Sequence, residues 1–307
     1  MEAGDLLSEF YTQLFTKLAE NPEECDTLSL SVILHDCLCR RYPTEEIEKF
    51  TLHLDHGISE KGTLLETVAL SYSVKWPLNI VLHSKALEMY NKVFRFLLSV
   101  KHSIWALIQI DVKALADTIT EQENDQENGS VNETATKDET TEEKEYKLHR
   151  VILLRSWLLH FIGNIHDYFM TRVLQSTQID LHSSLMQCQD LDGILDVHNR
   201  YISKIYDRCF LHPSASVLKE AVFKVLKSAL ILHKCCSDHM KNPNRGRKGQ
   251  EFILNAETLT SLEQNYAKRH QFLATTLHSM TQKRNVLHLE GLAAALLHSF
   301  PTVIPSE

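Results

Sequence analysis

LSYSVKWPLNIVLHSKALEMYNKVFRFLLSVKHSIWAL, Leu70 to Leu107, changes its period part-way along. Val68, Leu70, Tyr72, Val74 and Trp76 alternate with other residues, a period of two with β-branched and aromatic members that predicts a strand. Pro77 ends it. Proline has no amide hydrogen for a ladder and pushes the residue before it out of helical geometry, so the chain must turn at Trp76-Pro77. From Ser84, a residue type suited to an N-cap, Leu87, Tyr90, Phe94, Leu97, Ile104, Ile108 and Val112 recur at helical spacing. They predict one helix to about Ala116. On this reading Tyr72, Val74 and Trp76 cover one face of the helices, and Tyr72, Trp76 and Pro77 form a structural corner that belongs to the core.

Upstream, Phe50, Leu52 and Leu54 alternate in the same way, and the turn-like DHGISEKG between the two runs predicts a two-stranded antiparallel element. Such an element is marginal unless helices cover it. The rest reads as helix: 5–19, 28–41, 148–175, 181–210, 214–240, 256–281 and a short one at 289–299. The 148–175 segment is apolar nearly all round, through Val151, Leu154, Trp157, Leu158, Phe161, Ile165, Phe169 and Val173. That places it in the middle of a bundle. The expected fold is mainly α, a large helical bundle domain over 1–300 with a short two-stranded antiparallel β element.

Composition agrees. Apolar residues make up 43 % of the 307, enough for a sizeable core. The nine glycines are under half the usual share, which leaves little room for tight turns and phosphate-cradling loops. Residues 118–146 break the pattern. From Asp117 to Glu145 there are eleven acids against Lys137 and Lys144, and no aromatic before Tyr146. Such a segment cannot bury enough apolar surface to offset its ordering entropy, so 118–146 reads as one long disordered acidic insert. It carries nearly all of the net charge of −8, and the remainder is close to neutral.

Seven cysteines without a regular framework fit reduced thiols in the cytosol. The first residues do not read as a signal peptide, and no apolar run approaches a membrane span. The richest run, VILLRSWLLHFIG, is broken by Arg155 and His160.

Chemistry-bearing constellations are thin. His53-Leu-Asp55-His56 offers two imidazoles and a carboxylate, but in a strand and turn the imidazoles point apart. His233, Cys235, Cys236 and His239 give two ligands per helical face, where structural zinc needs four. His35 with Cys37 and Cys39 fails for the same reason. No nucleophile elbow, phosphate loop or dinucleotide fingerprint is present. The expectation is a non-enzyme with no cofactor, no metal, no nucleic acid and no membrane partner. The basic stretch Arg245, Arg247 and Lys248 suits an acidic partner or nucleic acid by charge, although such a run is more often a solvated loop.

Three segments together resemble the C-terminal region of the γ-tubulin complex components. One is Leu70–Leu107, with its aromatic strand, Trp-Pro-Leu, apolar run and helix. The others are His166-Asp-Tyr168-Phe-Met170 and LDGILDVHNRYISKIYDRCFL, Leu191 to Leu211; MEAGDLLSEFYTQLF matches the family's entry into this region. The resemblance covers nearly the whole chain. It implies a largely helical, non-enzymatic domain that binds γ-tubulin in the ring complex that nucleates microtubules, at microtubule-organising centres of the cytoplasm such as the centrosome and spindle pole. It also implies that a preceding N-terminal grip domain, which makes the lateral contacts to other components, is missing here, as in an isoform or a fragment. Tubulins are acidic, so Arg245, Arg247 and Lys248 are the candidate partner contacts. The rival reading is a helical scaffold that binds another partner through its acidic loop.

Overall fold

The computed structural model describes residues 4–20, 25–40, 42–43, 47–55, 64–117, 141–241, 256–284 and 286–299; the side chains of 4–6, 141, 239, 241, 283 and 284 fall outside that description. The helices are α1 (Gly4–Glu20), α2 (Thr27–Cys39), α3 (Leu64–Thr67), α4 (Leu78–Val81), α5 (Ser84–Ile108), α6 (Thr141–Asp167), α7 (Ser176–Leu185), α8 (Leu191–Arg208), α9 (Ser216–Lys241), α10 (Ala256–Arg284) and α11 (Glu290–His298). Strands β1 (Phe50–Leu54) and β2 (Val68–Tyr72) pair antiparallel, with Leu52 opposite Leu70. The mainly α class with one two-stranded antiparallel element is therefore as expected from the sequence.

The chain forms two compact units, one within Met1–His102 and His166–Lys219, the other within Ser103–Ile165 and Glu220–Glu307. The core of the first holds Phe10, Leu14, Phe15, Leu30, Leu52, Val68, Phe96, Leu97 and Phe169, all almost wholly buried. Phe96 meets Phe169 edge-on at 5.2 Å between centroids, a favoured aromatic geometry. Asp26 caps α2 by accepting from Ser29 N at 2.9 Å, and the Ser29 side chain first, then that backbone bond, hold its carboxyl below the usual carboxylate range. Asp190 caps α8 in the same way through Gly193 N at 2.9 Å. A Cβ on Gly193 would lie 2.6 Å from Asp190 Oδ1, so a larger residue there would require the capping carboxylate to shift.

Between α6 and α7 the helix widens into a π-helical stretch, Tyr168–Gln175, which buries Tyr168, Phe169 and Val173. α8 ends in a Schellman motif: Leu211 N donates to Tyr206 O at 3.2 Å and Phe210 N to Asp207 O at 3.1 Å. Phe210 takes the left-handed position with φ 58°, where glycine is usual. Its ring stacks on Tyr168 at 6.0 Å and meets Phe169 edge-on at 5.8 Å.

In the second unit, Leu154, Leu158, Phe161 and Ile162 of α6 are fully buried, as a central helix requires. Tyr266 of α10 stacks on Trp157 and donates to its carbonyl at 3.1 Å. Arg150 donates to both carboxylate oxygens of Glu263, at 3.1 and 2.6 Å, and to Thr260 Oγ1 at 2.9 Å. Arg155 Nε donates to Leu107 O at 2.8 Å, satisfying a carbonyl in the last turn of α5.

Four expectations are corrected. α5 stops at Ile108, not Ala116. Asp111 Oδ1 accepts from Lys113 N and Ala114 N at 3.0 and 3.1 Å and starts a separate turn at 112–117. The 181–210 helix is two helices, because Asp190 caps a new start. α6 begins at Thr141, so 141–146 are helical: Glu142 and Glu143 favour the positive end of the helix dipole, which an argument from apolar content overlooks. The remainder of the acidic insert, 118–140, lies outside the described residues.

The fourth correction concerns the corner. Strand β2 ends at Tyr72, and the ladder closes where Ser73 N donates to Lys49 O at 2.8 Å. Beyond it no described residue continues the ladder, so period-two alternation no longer dictates which way a side chain faces. Tyr72 remains half-buried against Phe50, 4.8 Å between centroids. Val74 is half-buried, whereas Trp76 is 78 % exposed and Pro77 is exposed as well. The corner exists, with a cis Trp76–Pro77 peptide, but its indole is not core.

Candidate docking surface

Local chemistry sets the surface of the corner. Pro77 lacks the amide hydrogen needed to extend a ladder and fixes its own φ, and the chain re-forms as helix at once. Ile80 N donates to Pro77 O at 3.1 Å and Leu82 N to Leu78 O at 2.9 Å, making the single turn α4, which packs against α8. Val81 and Leu82 are half-buried, leaving Leu78 63 % exposed and Ile80 39 % exposed beside Trp76. Trp76, Leu78 and Ile80 are thus exposed apolar side chains, and Lys75 and Lys85 are exposed as well. Sequence reasoning places Trp76 in the core and gives Leu78 and Ile80 no role. The legible signal is Pro77 itself, which ends the register that would otherwise have buried the residues after it.

The outer edge of β2 is closed. Leu70 N donates to Asn91 Oδ1 at 2.9 Å, and Val68 O accepts from Arg95 Nε at 2.8 Å. Those are the backbone groups that face away from β1, so helix α5 occupies the positions an added strand would take. Behind α4, Tyr90 of α5 and His198 of α8 meet through the hydroxyl and Nε2 at 3.0 Å. Burial, then the nearby His83, lowers the His198 pKa. A shallow depression along α8 is lined by Asp196, Asn199, Arg200, Ser203, Lys204 and Asp207. Its charges are of mixed sign and Lys204 is paired with Asp180 at 2.6 Å, the pattern of a solvated helix face.

Among the described residues no group of three or more His, Cys, Asp or Glu side chains is placed to hold a metal ion. His53 lies 3.2 Å from Thr51 Oγ1 while Asp55 faces Arg95, and His56 is outside the described residues. His35 Nδ1 meets Cys39 Sγ at 3.2 Å, whereas Cys37 is buried. His233 meets Ser237, and burial pushes the Cys236 thiol up to about 12. No described helix is long and apolar enough to cross a membrane. Arg245, Arg247 and Lys248, the candidate partner contacts, lie outside the described residues.

Comparison with known proteins decides the family. The family model described as gamma tubulin complex component C-terminal matches residues 1–297. The chain belongs to the γ-tubulin complex component family. Gamma-tubulin complex component 5 of Macaca fascicularis is 32 % identical over 305 residues, covering 97 % of this chain and 40 % of the relative. The same component of Mus musculus is 31 % identical over 312 residues, covering 97 % and 28 %. Gamma-tubulin complex component 2 of Mus musculus is 26 % identical over 220 residues, covering 69 % and 21 %. The chain therefore spans less than half the length of the curated relatives it matches. Both the Trp-Pro corner with α5 and the α8 segment that pointed to this family fall inside the matched region.

Proposed function

We propose that this chain is a γ-tubulin-binding part of a γ-tubulin ring complex that supports microtubule nucleation, acting at microtubule-organising centres such as the centrosome and spindle pole. The observation that carries the reading is the family match over residues 1–297. Residues 1–300 form the family's C-terminal region in this proposal, with the acidic stretch as an insert. Binding is a matter of surface complementarity, so the domain contributes a helical frame and no chemistry. Arg245, Arg247 and Lys248 serve as rim contacts: charge at a rim raises the association rate more than the affinity.

The test is capture from a cell lysate with the tagged chain, probed for γ-tubulin and for other complex components. Specific recovery of γ-tubulin, reduced in rate but not abolished by reversing the three basic charges, is the expected result. A lysate rich in γ-tubulin from which none is recovered contradicts the proposal.

A further inference from the structure

We propose that Lys101 is a modification site, its amine accepting an acyl group from a small acyl thioester while His166 removes the proton. Side chains from three helices meet at this amine, all within the first unit. Lys101 of α5 places Nζ 5.6 Å from the ring centroid of Tyr11 of α1 and 3.2 Å from Nε2 of His166, near the end of α6. His166 Nδ1 lies in turn 3.5 Å from Asp167 Oδ1. Amine, imidazole and carboxylate in that order form the arrangement in which a base, oriented by a third group, activates a nucleophile. The row stands immediately before the π-helical stretch Tyr168–Gln175, and π-helical insertions occur frequently at functional sites.

Two features set Lys101 apart from an ordinary surface lysine. First, among the described residues no carboxylate pairs with it; its contacts are an imidazole and a ring face. Burial without a compensating charge lowers its pKa. Burial first, and then the Lys101 charge, lower that of His166 as well. Both shifts favour an uncharged amine beside an uncharged imidazole, the protonation states that nucleophilic attack requires. Second, Lys101 and His166 are half-buried and not sealed, which admits a small acyl group. In the step, the amine lone pair attacks the thioester carbonyl carbon and the nitrogen proton passes to His166 Nε2. The carbon–sulfur bond breaks, and the departing thiolate takes that proton. An amide and a free thiol result, and the cation beside the Tyr11 ring is lost.

The test incubates the purified chain with acetyl-coenzyme A at a series of pH values and follows each lysine by peptide mass spectrometry. At neutral pH, Lys101 is expected to gain the acetyl group at least about fivefold faster than the exposed Lys75 and Lys85. It is also expected to reach half of its maximal rate at a lower pH than they do. His166→Gln is expected to slow acetylation of Lys101 at least about fivefold while leaving Lys75 and Lys85 unchanged. Circular dichroism and a melting temperature like those of the wild type establish that the variant is folded; should it unfold, the wild-type rate ratio and pH profile decide. Lys101 acetylated no faster than the two exposed lysines, or with the same pH profile, overturns the proposal. So does an unchanged Lys101 rate in folded His166→Gln, because the imidazole is then no base for this amine.

Discussion

His270 sits in the second unit between the rings of Phe161 and Tyr266, at 5.4 and 5.6 Å, with Nε2 3.3 Å from Ser299 Oγ and no solvent exposure. Burial first, and then the neighbouring His160, lower its pKa to about 4. Because the folded value lies below the unfolded one, the unfolded chain binds the extra proton between these two values. Stability is therefore full above about pH 6.5 and is lost as pH falls toward 4. Between pH 7 and pH 5 the loss from this residue is about 2 kcal/mol. Urea unfolding of the wild type and of His270→Gln checks it: the wild-type curve falls more steeply over that interval, and parallel curves contradict it. Trp76 makes the opposite case. An exposed side chain outside the core contributes little to folding, so Trp76→Ala is expected to change stability by no more than about 0.5 kcal/mol. A loss of several kcal/mol in thermal melts places the indole back in a core.

Element ends carry the fold's sharpest local conflicts. Phe210 holds a left-handed conformation that costs a non-glycine residue roughly 1–2 kcal/mol, and it is kept there by its ring contacts with Tyr168 and Phe169. Phe210→Ala forfeits the packing without relieving the backbone and is expected to cost about 3–5 kcal/mol. Phe210→Gly forfeits the same packing but relieves the backbone, and should be about 1 kcal/mol milder; equal losses in urea unfolding rule out the backbone argument. Arg150 and Glu263 join α6 to α10 with side chains 14 % and 8 % exposed. Removing one partner leaves a nearly buried charge unpaired, so Arg150→Met is expected to cost about 3–5 kcal/mol. Arg150→Met with Glu263→Leu should recover much of that loss, and a double variant as weak as the single one contradicts the pairing.

The same scale shows how much of the fold is legible in the sequence. Alternation in Phe50–Leu54 and Val68–Tyr72 marks the strand pair, and helical spacing marks every long helix, because both periods report which face is buried. The ends are harder. Asp111 and Asp190 restart helices that the apolar stripe runs straight through, and Thr141 begins a helix, with Glu142 in its first turn, in a segment whose composition argues against one. Trp76 is misplaced for a related reason: alternation has meaning only while the ladder lasts, and the ladder stops at Ser73. The exposure of Leu78 and Ile80 stays hidden because outward-facing apolar residues look the same in sequence as core residues.

For the whole molecule, two compact units of helices carry a family signature that runs over 1–297, and nothing among the described residues assembles a metal site. In the proposed function the chain acts by holding a partner. The most direct test of that claim is size-exclusion chromatography with light scattering on the purified chain mixed with purified γ-tubulin. The expected outcome is a single peak at the mass of a one-to-one complex, earlier than either protein alone. Two peaks at the masses of the separate proteins, at micromolar concentrations of both and low salt, contradict it.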